Sequence, residues 1–151
     1  MASSAPDPGF SDPDFKVLFE SVPGLYLVLR PDLTIVAASD AYLDATMTRR
    51  ERIIGRNLFE AFPDDPDEPG ATGMRDLHAS LQRVRQSGLP DAMAVQKYAI
   101  RQGGDGDFEE RHWSPVNIPV FGAEKALAYI IHHVEDVTEF VRLKQIGRAH
   151  V

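Results

Sequence analysis

Asp136, Val137, Thr138 and Glu139 set a carboxylate, a hydroxyl and a second carboxylate side by side. Oxygens of this kind do hydrogen-bond chemistry at a helix start. Asp136 is placed to accept an orphan helix N–H, and Glu139, three residues on, has the spacing of a capping box. The apolar run before them is β-like and the residues after them follow a helical pattern. A strand therefore feeds directly into a helix that leaves the domain, an arrangement suited to handing a signal onward.

Other chemistry-bearing residues give weaker patterns. His132 and His133 are neighbours on a strand, so they point to opposite faces and do not jointly hold a metal; one buried and one exposed imidazole is expected. Trp113, Tyr98 and Asn117 suit either the lining of a small-molecule cavity or, for the two aromatics, plain core packing. The acidic run Glu60, Asp64, Asp65, Asp67, Glu68 is broken by Pro63 and Pro66 and does not match an EF-hand loop, so it reads as solvated. No Gly-rich phosphate loop follows a strand, G-x-S-x-G is absent, and no nucleophile–base pair stands out. The enzyme class has no residue set to stand on.

The elements that must position these residues belong to one domain of 151 residues, 43% apolar and 26% charged. A formal charge of −7 argues against a phosphate-backbone binder and against direct contact with an anionic membrane. The absence of cysteine excludes disulfides, thiolate metal sites and thiol catalysis, and fits a reducing compartment. Neither a signal peptide nor a membrane-spanning run is evident, so a cytoplasmic location is expected.

Residues 1–14, rich in Ala, Ser, Pro and Asp, read as a disordered arm. A short helix over 15–22, a hairpin over 25–38 turned at Pro31-Asp32, and a helix capped at Ser39-Asp40 follow. Residues 48–62 read as two helical pieces split at Gly55. Met74, Leu77, Leu81 and Val84 mark one face of a longer helix, with Gly88 as its C-cap. Strands are expected over 92–101, over 108–121 with bends at Pro115 and Pro119, and over 127–134. The last, apolar on both faces, should lie centrally and be covered on both sides. The fold class is α+β: a five-stranded antiparallel sheet, helices on one face, and an outgoing C-terminal helix.

This order resembles a PAS domain over roughly residues 15–143. The words that carry the resemblance are the hairpin, Ser39-Asp40-Ala41-Tyr42, Ile53-Ile54-Gly55-Arg56-Asn57-Leu58-Phe59-Glu60, Arg111 to Val120, and the closing Glu135-Asp136-Val137-Thr138-Glu139. The resemblance implies a domain over 15–136, a signalling helix starting at 137–145, and a sensory or dimerising module of a two-component sensor histidine kinase, without chemistry of its own. It implies a signal-coupling role for Asp136, Val137 and Thr138. The alternatives are a ligandless protein–protein interaction module, or the sensor of a cyclase or transcription regulator. A homodimer, a downstream effector domain and an unidentified small-molecule ligand are the implied partners; nucleic acid is not among them.

On cofactors the resemblance leaves none as the plain expectation. His78 lies on the helix that carries the heme ligand in heme-binding relatives, but about 80° from the centre of the apolar face, where a solvent-facing boundary histidine is the plainer reading. A light-sensing flavin site would need a cysteine that this chain lacks, which leaves only a flavin bound for redox sensing as the flavin alternative. Finally, residues 146–151 break the apolar spacing of an outgoing helix and read like a translated sequencing adapter, so natural sequence is expected to end near Gln145.

Overall fold

The computed structural model describes residues 13–63, 73–102 and 107–149. The expectations for most of the N-terminal arm, the acidic loop, the glycine turn and the last two residues lie outside the described residues, as does the side chain of Tyr98. In chain order come α1 (Phe15–Glu20), β1 (Leu25–Leu29), β2 (Ile35–Ala38), α2 (Asp40–Thr46), α3 (Arg50–Ile53), α4 (Leu58–Ala61), α5 (Gly73–Ser87), β3 (Asp91–Ala92), β4 (Gln96–Gln102), β5 (Asp107–Phe121), β6 (Leu127–Asp136) and α6 (Thr138–Ala149).

Local signals fix most boundaries. Asp14 accepts from the Val17 N–H to cap α1, and Asn57 accepts from Phe59 to cap α4. Ser39 caps α2 and does more: its buried hydroxyl donates to Gly24 at 2.8 Å and accepts from Tyr26 at 3.1 Å, so the cap also fastens the start of β1. Gly55, at φ 86°, separates α3 from α4. In the β1–β2 turn the Asp32 carboxylate accepts from the Thr34 N–H, and Leu33 sits at φ 73° with its side chain in the core.

The antiparallel sheet runs β2-β1-β6-β5, with β3 and β4 both along the far edge of β5. It is thus five strands wide, but the edge strand expected over 92–101 is in two pieces. The register explains the break: Ala92 faces Val116 and Gln96 faces Trp113, so Met93, Ala94 and Val95 oppose only Ser114 and Pro115. The Pro115 carbonyl accepts from Met93 on that side, so the N–H that proline lacks would have pointed there too. Pro119, four residues on, faces the same way. Both gaps fall on the edge side, and the β5–β6 ladder stays continuous from Trp113 to Val120.

Helices α2 to α5 cover the inner face. Leu77, Leu81 and Val84 of α5 meet Leu27, Leu29, Ile35, Tyr42, Leu58 and Ile130 in the core. β6 is central, as expected, but its outer face is not covered: Tyr129 is exposed and Ile131 and His133 are half-buried. That expectation overweighted apolar character, which one buried face and a half-buried one also satisfy. Helix α1 reaches the outer face through Phe19, whose ring meets Tyr26 edge-on, and Tyr26 stacks on His133 at 4.2 Å. None of its residues is buried; Arg50 adds contacts to Glu20 and Asp40. α6 continues past Gln145 through Ala149.

Two left-handed residues separate conformational cost from burial. Met47 ends α2 at φ 55° with its side chain 93% exposed, so glycine there removes strain and loses no contact. Met47→Gly should raise the unfolding free energy by about 0.5–1 kcal/mol, roughly 2 °C in midpoint. Leu33→Gly relieves the same strain but empties a core site, and should cost about 2 kcal/mol or more. Thermal melts of the two variants check the opposite signs.

Candidate functional site

Two groups of polar side chains stand on β6, four residues or roughly 13 Å apart along the strand. The first lies where β6 becomes α6. Asp136 Oδ1 accepts from the Thr138 N–H at 3.0 Å and, in a shorter bond, from the Thr138 hydroxyl. Asp136 Oδ2 accepts from Arg111 Nη1 at 3.1 Å. The Thr138 hydroxyl, its one hydrogen committed, accepts the His112 N–H at 2.9 Å, and the Val137 N–H donates to the His112 carbonyl at 2.9 Å. Burial opposes the charge on Asp136. The two Thr138 donors and Arg111 more than offset it and hold the carboxyl below its ordinary range.

The expected capping box does not form. α6 begins at Thr138, so Asp136 lies one position too early to be its N-cap. It makes an i to i+2 turn instead, while Glu139 approaches Arg142 at 4.0 Å. The result is a joint: Thr138 is buried, and through it and Asp136 the first turn of α6 is bound to Arg111 and His112 of β5. Asp136, Val137 and Thr138 are brought together as expected. No periodicity in the sequence marks Arg111 and His112 as its partners.

The second group is inside. Asn117 and His132 are both buried on the inner face and are paired in the sheet register, with His132 Nδ1 2.8 Å from Asn117 Oδ1. Asn117 Nδ2 donates to Ser80 Oγ at 2.8 Å and lies 3.6 Å from Met93 Sδ. Ser80 in turn donates to Asp91 Oδ2, and Arg83 grips Asp91 through Nε at 3.0 Å and Nη2 at 2.9 Å. Those donors, Arg83 first and Ser80 second, lower the Asp91 pKa, and Asp91 raises that of Arg83. Burial, reinforced by the neighbouring His133, lowers His132 to about 4, so its imidazole is neutral at pH 7. Ser80 had a signal in the sequence: a hydroxyl three residues after Leu77, inside the apolar stripe of α5.

The remaining candidates are scattered. Trp113 is half-buried on the inner face, four residues before Asn117. His78 is exposed on α5, its ring 5.3 Å from that of Phe59 and its Nε2 3.5 Å from the Gln82 amide nitrogen. His132 and His133 diverge, one buried and one half-buried. Among the described residues no group of three His, Asp or Glu is disposed to hold a metal, and no helix is long and apolar enough to cross a membrane.

The family model described as PAS fold matches residues 19–142. Among solved structures, the chain is similar to the PAS domain of Bordetella pertussis BvgS, with TM-score 0.61 and 22% identity over 91% of this chain and 96% of that one. It is similar to a sensory box sensor histidine kinase from Vibrio cholerae, with TM-score 0.57 and 16% identity over 82% and 89%. It also resembles the LuxR-type receptor VqmA of Vibrio cholerae, with TM-score 0.54 and 22% identity over 82% of this chain and 50% of that one. At these identities the likeness is one of fold. No curated protein matches the sequence.

Burial of neutral His132 makes stability depend on pH. The unfolded chain binds a proton near pH 6.5, whereas the folded imidazole takes one only near 4, so the contribution of His132 falls as pH drops through that window and levels off below it. The loss attributable to His132 is about 3 kcal/mol. Denaturant unfolding between pH 7 and 4 should show His132→Gln losing less stability than the wild type over this range. Parallel pH curves would contradict the assignment.

Proposed function

This chain belongs to the PAS-fold family, and from that premise we propose that it is the sensory and dimerising module of a two-component sensor histidine kinase, itself without catalysis. The observation that best supports the reading is the joint at Asp136. One carboxylate gathers the start of α6 and the β5 residue Arg111, while Thr138 and Val137 bind His112. A shift of β5 against β6 is thereby transmitted to the first turn of α6. Signalling is then a change in the balance of two sheet–helix arrangements, driven by whatever binds one arrangement more tightly. In this proposal residues 15–136 are the cytoplasmic sensor and residues from 137 onward begin the output helix.

A second reading is favoured by a specific observation. Asn117 has both ends of its amide engaged, by Ser80 and by His132 Nδ1, and Ser80 also bonds Asp91, so these inner groups are already partnered within the protein. That supports a ligandless module that pairs subunits. The likeness to VqmA, whose length this chain half spans, keeps a transcription regulator as the effector alternative. Heme has little support in the geometry, since exposed His78 would have to turn inward; hemin titration should give no histidine-ligated Soret spectrum that His78→Ala abolishes.

The deciding experiment compares autophosphorylation of the full-length protein with that of its Asp136→Ala variant. The substitution removes three accepted hydrogen bonds at a half-exposed site, a stability cost of about 1–2 kcal/mol. Output or its response to signal should change several-fold while the domain stays folded. Equal activity and equal response in both proteins would sink the coupling role. Absence of phosphoryl transfer, with cyclase activity or DNA binding in its place, would establish the other effector class.

A further inference from the structure

Five side chains make an unbroken run from the middle of the sheet to the surface: His132, Asn117, Ser80, Asp91 and Arg83, drawn from β6, β5, α5, β3 and α5 in turn. The first three are buried, Asp91 is half-buried and Arg83 is exposed.

The run has a direction, set at its outer end. Arg83 offers only donors, and its two parallel bonds to Asp91 are those an ionised carboxylate accepts. Asp91 therefore has only acceptor capacity to offer Ser80. The serine hydroxyl has one hydrogen and gives it to Asp91, leaving lone pairs for its other neighbour. Asn117 must then present its NH2 to Ser80, which agrees with Met93 Sδ, an acceptor, lying beside the same nitrogen. That orientation turns Asn117 Oδ1 toward His132, and an amide oxygen only accepts. The hydrogen between them therefore belongs to His132 Nδ1.

We propose that the Asp91 carboxylate, clamped by Arg83, dictates the tautomer of buried His132 through this relay. With the ion pair intact the imidazole is Nδ1–H; with the charge at Asp91 lost, Ser80 is free to donate inward, and the amide and the ring are free to reverse. A surface event that takes Asp91 from its partners is thereby read on β6, four residues before Asp136. The inference concerns the interior of the domain and does not depend on what α6 drives. The buried ring is neutral at pH 7, so it has a tautomer to choose.

Long-range proton–nitrogen correlation spectra of imidazole-labelled protein at pH 7 test this, with His132 assigned by the signals lost in His132→Gln. The wild type should show His132 protonated at Nδ1. Asp91→Ala, which leaves Ser80 no outward acceptor, and Ser80→Ala should each raise the Nε2–H population several-fold. Arg85→Gln is the control: it removes a charge from the same helix, but Arg85 bonds the Pro31 carbonyl outside the relay, and it should leave the His132 signals in place. A wild-type ring protonated at Nε2 overturns the proposal, and so does a wild-type tautomer in Asp91→Ala. The first of these readings needs no substitution, and Asp91→Ala stands if Ser80→Ala does not fold.

Discussion

A strand hydrogen-bonded along both edges cannot slip by one residue without turning its buried side chains outward. β6 is such a strand, held by β1 from Leu29 to Leu25 and by β5 from Phe121 to Trp113. Its register decides where everything else falls. It places Ile130 and His132 inward, sets Asn117 opposite His132, and ends with Asp136 opposite Trp113. The carboxylate thus arrives beside Arg111 and His112, and α6 starts from a point fixed to the sheet rather than from a loose connection.

Polar groups in the interior reinforce that register. A buried donor or acceptor left unpaired costs about 1–3 kcal/mol, whereas a satisfied one is worth roughly 1 kcal/mol. Ser80, Asn117 and His132 meet only when α5, β5 and β6 are all in place, so a slip strands several such groups together. The apolar core, with Leu27, Leu29, Ile35, Leu81 and Ile130 fully enclosed, supplies most of the driving force. The polar run contributes discrimination between arrangements that bury similar apolar area.

Patterns that live within a few residues were legible in the sequence. The Leu77, Leu81, Val84 stripe, the Gly55 break, the Gly88 cap and the Pro31-Asp32 turn each carry their cause in their own neighbourhood. What was hidden depends on pairing. Asn117 and Ser80 are 37 positions apart, and Arg111 and Asp136 are 25 apart. Nothing in either segment names the other. The capping box failed by one position, because the hydroxyl of Thr138, bound to β5, sets where the helix begins. The break in the edge strand follows from the side on which Pro115 lacks its hydrogen, which is defined only once β5 has neighbours.

Prolines also bear on association between chains. β3 ends its pairing with β5 at Asn117, so the strand beyond, toward Phe121, has no partner strand on that side in the described sheet. An intruding strand from another molecule would look there for alternating donors and acceptors. At Pro119 it finds a carbonyl without its N–H, and Pro90, just before β3, supplies no donor either. Edge-to-edge addition is disfavoured at the place where the sheet stands open, a built-in guard against the runaway stacking to which open edges are prone.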